Sequence, residues 1–149
     1  MLFEEYKLKN VSLRNRVVMA PMTRNQSPGG IPTDNVVSYY SRRAKAEVGM
    51  IITEGIEVSH EASSAYPNVP RLDSNDAKEG WKKVVAGIKN NHGVVIAQLW
   101  HCGGFRKLGM QPNPEVPGHT ASGLVKPGKK VVHEMTLEDI KETIEAYAS

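Results

Sequence analysis

Three short apolar runs constrain this chain more than any other feature: Val17-Val18-Met19-Ala20-Pro21-Met22, Gly49-Met50-Ile51-Ile52-Thr53-Glu54 and Val94-Val95-Ile96-Ala97-Gln98-Leu99. Each has about the length of a strand, and none alternates apolar with polar residues. Runs of this kind fit strands buried on both faces, as in a parallel sheet.

Amphipathic segments separate and follow them. Val37, Tyr40, Ala44 and Val48 share a helical face, with Thr33 as N-cap behind Pro32. Ala77, Trp81, Val84 and Ile88 form a second face, capped by Ser74, with Asp76 in the first turn and Asn90-Asn91-His92-Gly93 as the stop. Thr136-Leu137-Glu138-Asp139 fits a capping box, and Leu137, Ile140, Ile144 and Tyr147 continue that helix, with Met135 and Ile140 placed for a hydrophobic staple. The predicted order is β-α-β-α-β-loop-α. Strands joined by crossover helices build parallel sheets of right-handed sense. The 103–130 stretch is long for a structureless loop and is expected to be functional or partly ordered.

Composition excludes several classes. With 149 residues and 40% hydrophobic content, the chain can bury a core and is not disordered. No stretch approaches the roughly 20 apolar residues of a membrane helix. Met1 leads into mixed residues rather than a signal peptide, so the expected location is cytoplasmic. A single cysteine, Cys102, agrees with a reducing compartment. The net charge of +3 is small, and its one basic run, 126–130, also holds Pro127 and Gly128; it reads as a solvated turn, not a nucleic-acid patch.

In parallel α/β architectures, chemistry collects at the carboxyl ends of strands. Here those ends read Ala20-Pro21-Met22-Thr23-Arg24, Thr53-Glu54-Gly55 and Gln98-Leu99-Trp100-His101-Cys102-Gly103. Asn15-Arg16-Val17-Val18-Met19-Ala20-Pro21-Met22-Thr23-Arg24 resembles the first-strand motif of the old yellow enzymes, the FMN-dependent ene-reductases. Tyr39-Tyr40 with Arg42-Arg43-Ala44, then 49–55, resemble that family's first helix and second strand. Gln98-Leu99-Trp100-His101 is similar to its third-strand signature, and Pro117-Gly118-His119-Thr120-Ala121-Ser122 is similar, less closely, to its Pro-x-x-Ala-Ser loop. The motifs occur in family order across nearly the whole chain.

The resemblance implies a (β/α)8 TIM barrel with FMN across its strand ends, of which this chain supplies roughly the first three βα units. It implies hydride transfer from NAD(P)H, as co-substrate, through FMN to an activated alkene or similar small electrophile. Thr23 would donate to the flavin C4 carbonyl oxygen, and Gln98 would meet the pyrimidine edge, which presents both donor and acceptor. Pro21 and Met22 would pack beside the ring, and Gly55 would admit the backbone where a Cβ would collide. Trp100 and Tyr66 would line the substrate pocket. Read alone, each residue has a plainer role: Thr23 a turn hydroxyl, Gln98 an amide satisfied by a carbonyl, Gly55 a turn residue, Pro21 a strand terminator, Trp100 packing and Tyr66 surface.

No Cys or His spacing supports a metal, and the five histidines are scattered along the chain, so structural or surface roles are expected. Glu54 and Glu57 near one strand end show no catalytic pair, and Gly103-Gly104 is no dinucleotide fingerprint. Many relatives carry an arginine where this chain has Gly104, with Arg106 nearby. The family's substrate-anchoring and proton-donor residues follow its fourth strand, and its phosphate site follows the seventh and eighth. Three units are far fewer than the eight, in about 250 residues, that close such a barrel. Residues 1–149 are therefore expected to be the N-terminal part of a truncated barrel domain, inactive alone. Rival readings are a noncatalytic half-barrel module whose open strand edges recruit a second copy or a complementing C-terminal chain, and a different enzyme on an α/β scaffold.

Overall fold

The central strand of the sheet is also its longest, Met50–Glu57. A computed structural model describes residues 1–149. In chain order its elements are β1 (Tyr6–Leu8), β2 (Val11–Leu13), β3 (Val18–Met19), α1 (Asp34–Lys45), β4 (Met50–Glu57), α2 (Asn75–Lys89), β5 (Val94–Trp100), β6 (His119–Thr120), β7 (Leu124–Lys126), β8 (Lys129–Lys130), β9 (His133–Glu134) and α3 (Leu137–Ala148), with 3-10 turns at Pro28–Gly30 and Gly103–Phe105. The main sheet runs β3-β4-β5, with both pairings parallel. This is the predicted βαβαβ order, and it leaves β5 on an open edge.

Helices α1 and α2 pack on one face of that sheet. Val36, Tyr40, Ala44, Ile51, Ile56, Trp81, Val84 and Ile88 form the core, with Met19 and Val95 packed against it. The predicted face of α2 is buried as read. On α1 the phase differs by one residue: Val36 is fully buried, whereas Val37 and Val48 are only partly so. Two adjacent valines leave the helical phase ambiguous in sequence; packing against β4 selects the first. Residues alternate across a strand, so Ile96, Gln98 and Trp100 of β5 point to the face opposite Val95 and the helices. The apolar edge there is open, with Ile96 45% exposed.

Caps follow the sequence unevenly. Ser74 accepts from the Ala77 N–H at 3.1 Å. Thr136 and Asp139 complete the predicted capping box. Thr33 precedes α1 without any side-chain cap bond. The apolar residues of α3 are not covered: Leu137 is 79% exposed, and no residue of that helix is buried.

Two elements differ from expectation, and the 103–130 stretch is partly ordered as expected. Only Val18 and Met19 of the first run pair with β4, and the chain beyond them is extended. An antiparallel hairpin, β1–β2, precedes the sheet; its side chains Tyr6, Leu8 and Leu13 gather with Val18 and Met50 at the amino end of the sheet's open face. The 103–130 stretch is ordered by a 3-10 turn and two short ladders, β6–β9 and β7–β8. The basic run is the β7–β8 hairpin, with Gly128 at φ 74° in its turn. No helix is long and apolar enough to cross a membrane.

The two caps can be told apart experimentally. We predict that Ser74→Ala lowers the unfolding free energy by about 1 kcal/mol, whereas Thr33→Ala changes it by less than about 0.5 kcal/mol. Urea unfolding followed by circular dichroism checks this; equal losses for the two variants would contradict the cap assignment.

Candidate active site

Glu54 is a fully buried carboxylate in the middle of the central strand, and its partners come from two other elements. Arg24 donates from Nη2 to Glu54 Oε1 at 2.7 Å and from Nε at 3.1 Å, while its backbone N–H reaches Oε2 at 3.1 Å. The Tyr40 hydroxyl accepts the Glu54 N–H at 2.7 Å. The guanidinium also lies over the Tyr39 ring, 3.9 Å from its centroid. Burial, aided by the Glu54 charge, pushes the Tyr40 phenol up to about 12, so it stays a neutral hydrogen-bonding group. The arrangement ties the segment after β3, which carries Pro21, Met22 and Thr23, to β4. Glu54 was read only as one of two acids near a strand end; the signal that could have found it was the co-occurrence of Arg24 and Tyr39-Tyr40.

A bulge makes room for this acid. The β4–β5 register runs Ile52↔Ile96 and then Gly55↔Gln98, so three steps on β4 match two on β5. The Gln98 N–H donates to the Thr53 hydroxyl at 3.1 Å, which repairs the ladder where the bulge interrupts it. The bulge sends both Ile51 and Ile56 to the helix side and leaves Gly55 on the face shared with Gln98 and Trp100.

Gly55, Gln98, Trp100 and Tyr66 are brought together there. A Cβ on Gly55 would lie 2.6 Å from Trp100 Cδ2 and 2.9 Å from its Cγ. A side chain at this position would therefore collide with the indole of Trp100. Trp100 stacks on Tyr66 with centroids 6.1 Å apart and planes at 28°; Tyr66 stacks in turn on Phe105 at 6.1 Å and 26°. Phe105 was not singled out from sequence. The half-buried Gln98 side chain makes no hydrogen bond to the chain, and Thr23 is exposed with its hydroxyl unpaired. Pro21 is half-buried and Met22 is exposed.

Neighbouring polar groups are already committed. Arg106 is fully buried and donates to the carbonyls of Val116 at 2.9 Å and Met110 at 3.0 Å, and to those of Ser64 and Asn113. It folds the loop onto the segment after β4 and does not face the open sheet. Glu57 is raised by burial and pairs with Arg71 at 3.3 Å. Burial pushes the Cys102 thiol up to about 11, which removes it as a nucleophile. The histidines are not scattered in space: His60, His101, His119 and His133 form one contiguous cluster beside the end of β5. No group of three or more acidic, histidine or cysteine side chains is arranged to hold a metal.

Three substitutions probe this construction. Glu54→Ala strands Arg24 and should cost about 3 kcal/mol or more, against about 1–2 kcal/mol for Tyr40→Phe, read as shifts of the urea midpoint. A loss below about 1 kcal/mol for Glu54→Ala would show that the pair does not hold the segment. Gly55→Ala should cost about 1–3 kcal/mol by overpacking and displace Trp100. Near-ultraviolet circular dichroism detects that displacement, and an unaltered aromatic spectrum would refute the contact.

With this geometry in hand, comparison with known proteins places the chain. The sequence model of the NADH:flavin oxidoreductase / NADH oxidase family matches residues 1–149. The chain is 37% identical over 116 residues to 12-oxophytodienoate reductase 7 of Oryza sativa subsp. japonica, covering 78% of this chain and 29% of that protein. It is 31% identical over 141 residues to 12-oxophytodienoate reductase 2 of Arabidopsis thaliana, covering 95% of this chain and 36% of that one. The solved structure of morphinone reductase superposes with a TM-score of 0.86 at 28% identity, over 98% of this chain and 42% of its own. The chain thus spans about a third of the length of the curated relatives it matches. Its fold is the corresponding part of a TIM barrel, and the chain belongs to the NADH:flavin oxidoreductase family of old-yellow-enzyme type.

Proposed function

We propose that residues 1–149 form the N-terminal, flavin-ring part of an FMN-dependent ene-reductase barrel, in which hydride passes from NAD(P)H by way of FMN to an activated alkene. One observation carries this reading. The Thr23 hydroxyl and the Gln98 amide, on strand ends flanking β4, are left without partners beside an apolar face, while the neighbouring Arg24–Glu54 pair and Arg106 are satisfied by protein groups. A planar heterocycle with carbonyl and imide edges needs such groups: a hydroxyl donor, an amide that both donates and accepts, and apolar walls. The residues fit the group.

In this reading, Thr23 donates to a ring carbonyl and Gln98 pairs with the pyrimidine edge. Pro21 and Met22 pack beside the ring, and the Gly55 position keeps Trp100 close to the strand. Trp100 and Tyr66 wall the pocket, exclude water and orient a flat small-molecule electrophile. When bound, FMN supplies hydride chemistry that no side chain in the chain can perform. Catalysis is assigned to the whole barrel, because the curated relatives extend over about three times the matched length. A single, buried cysteine, Cys102, is consistent with a reducing, cytoplasmic setting. The open edge of β5, with Ile96 and Leu99 each 45% exposed, favours a second role as a module that pairs with another copy or a complementing chain.

Titration of FMN against the purified chain, followed by flavin fluorescence, tests the first reading. Binding should be measurable below about millimolar FMN and should weaken about tenfold in Gln98→Ala. Indifference to Gln98→Ala, or no binding at all, would sink it; sedimentation of the same samples reads the association state.

A further inference from the structure

The histidine cluster lies outside the flavin-facing side and has a construction of its own. His60 follows β4, His101 follows β5, His119 belongs to β6 and His133 to β9. Ring centroids are separated by 5.0 Å for His60–His101, 5.2 Å for His60–His119 and 4.6 Å for His119–His133. His133 Nε2 continues the series to Asp139 Oδ2 of α3 at 2.8 Å. The four rings therefore join the segments after β4 and β5 to the β6–β9 ladder and the start of α3. Beyond these rings the arm rests on the Gly103–Arg106 turn through Gly118 and Thr120, and no residue of α3 is buried.

Backbone amides fix the protonation of the first pair. The Ala62 N–H donates to His60 Nδ1 at 3.1 Å, and the Gly103 N–H donates to His101 Nδ1 at 3.0 Å. A ring nitrogen that accepts an N–H carries no proton itself. Both rings are thus neutral Nε2–H tautomers, and His101 Nε2 donates to His60 Nδ1 at 3.2 Å. A second proton on either ring would have to sit on Nδ1, facing a backbone N–H; on His60 it would also face the His101 Nε2–H. His101 cannot take up a second proton without breaking the Gly103 N–H contact that places it. His119 adds a buried Nδ1 with no partner.

Little negative charge is free to compensate. Asp139 is shared between His133 and Thr136. Glu134 is paired with Lys130. Glu61 acts on His119 only as a minor neighbour, Cys102 is held neutral, and the Tyr147 phenol lies against the His101 backbone.

We propose that the His60–His101–His119 part of the cluster is an acid-released latch: with these rings neutral it clamps the β6–β9 arm onto the segments after β4 and β5, and proton uptake frees the arm while the sheet stays folded; the His133–Asp139 contact lies within the arm and moves with it. Burial, reinforced by the neighbouring rings, lowers His101 to about 4 and pulls His119 down as well. Both depressed groups bind protons more tightly once released, with an ordinary value of about 6.5. Closure is therefore fully favoured above about pH 6.5 and weakens as pH falls towards about 4, by about tenfold per pH unit for each proton taken up. The latch begins one residue beyond Trp100, so its release would also loosen that end of the aromatic stack.

Native-state hydrogen exchange on the whole chain tests this. The His133 and Met135 amides, which donate to the Gly118 and Thr120 carbonyls, report the arm; Val84 and Ile88 report the core. Below about pH 6.5, arm protection factors should fall about tenfold to a hundredfold per pH unit while core values hold. In a His60→Asn/His101→Asn variant, Asn Oδ1 can replace the accepting Nδ1 without titrating, and the fall should shrink to less than about threefold per unit. Arm protection that persists to about pH 5, arm and core opening together, or an unchanged slope in the variant would each overturn the latch. Should the variant not fold, imidazole nitrogen spectra of the native chain still decide: Nε2–H tautomers for His60 and His101 near neutral pH support it, and Nδ1–H tautomers refute it.

Discussion

The fold turns on a single carboxylate placed where a parallel sheet can least accommodate one. Glu54 sits in the central strand, covered by α1 on one side and flanked by strands on both edges. Left unpaired, such a charge would cost several kcal/mol. It is instead met by the Arg24 guanidinium and backbone N–H, while the Tyr40 hydroxyl takes its own N–H. Those partners arrive from the chain after β3 and from α1, so one buried acid fixes the mutual position of three elements. Buried pairs of this kind seldom raise stability above that of an apolar packing; their contribution is to permit one arrangement and penalise others.

The bulge is the second half of the same solution. Without it, strict alternation would send Ile51 and Ile56 to opposite faces, and one of them would leave the core. The extra residue restores both to the helix side, and the Thr53 hydroxyl takes the N–H that the ladder would otherwise lose. The change of phase delivers Gly55 to the open face, where the absence of a Cβ lets Trp100 lie against the strand. The placement of Trp100 is thus a consequence of how the strand buries its acid.

Much of this was legible in the sequence, and what was missed shares a physical cause. The three apolar runs marked the strands, although the expected burial on both faces holds only for β4 and not for β3 or β5, and α2 was read correctly because its cap and its buried face are local features. The β1–β2 hairpin was missed because its three-residue strands are mostly exposed and carry no such signal. The Val36–Val37 phase, the Glu54 pairing and the Gly55–Trp100 contact depend on residues distant in sequence. The histidine cluster is the extreme case: rings separated by dozens of positions meet only because β6 and β9 fold back over the strand ends. Their spacing along the chain has no relation to their spacing in the molecule.

What distinguishes scaffold from binding surface here is whether polar groups are satisfied internally. Arg106, the most deeply buried cation, spends its donors on backbone carbonyls of one loop and one neighbouring segment, and has none to offer a ligand. Glu54 and Tyr40 are closed in the same way. Gln98 lies in an apolar strand, yet its amide is unpaired; its backbone N–H is engaged, so the strand itself does not require that side chain. A primary amide held half-buried without a partner carries a desolvation cost of about 1–3 kcal/mol if water is excluded from it. Such a cost is recovered when a complementary edge arrives. Arg24, Glu54 and Arg106 are closed on protein groups, whereas the Gln98 amide and the Thr23 hydroxyl are not, and that asymmetry favours a ligand over more protein as their partner.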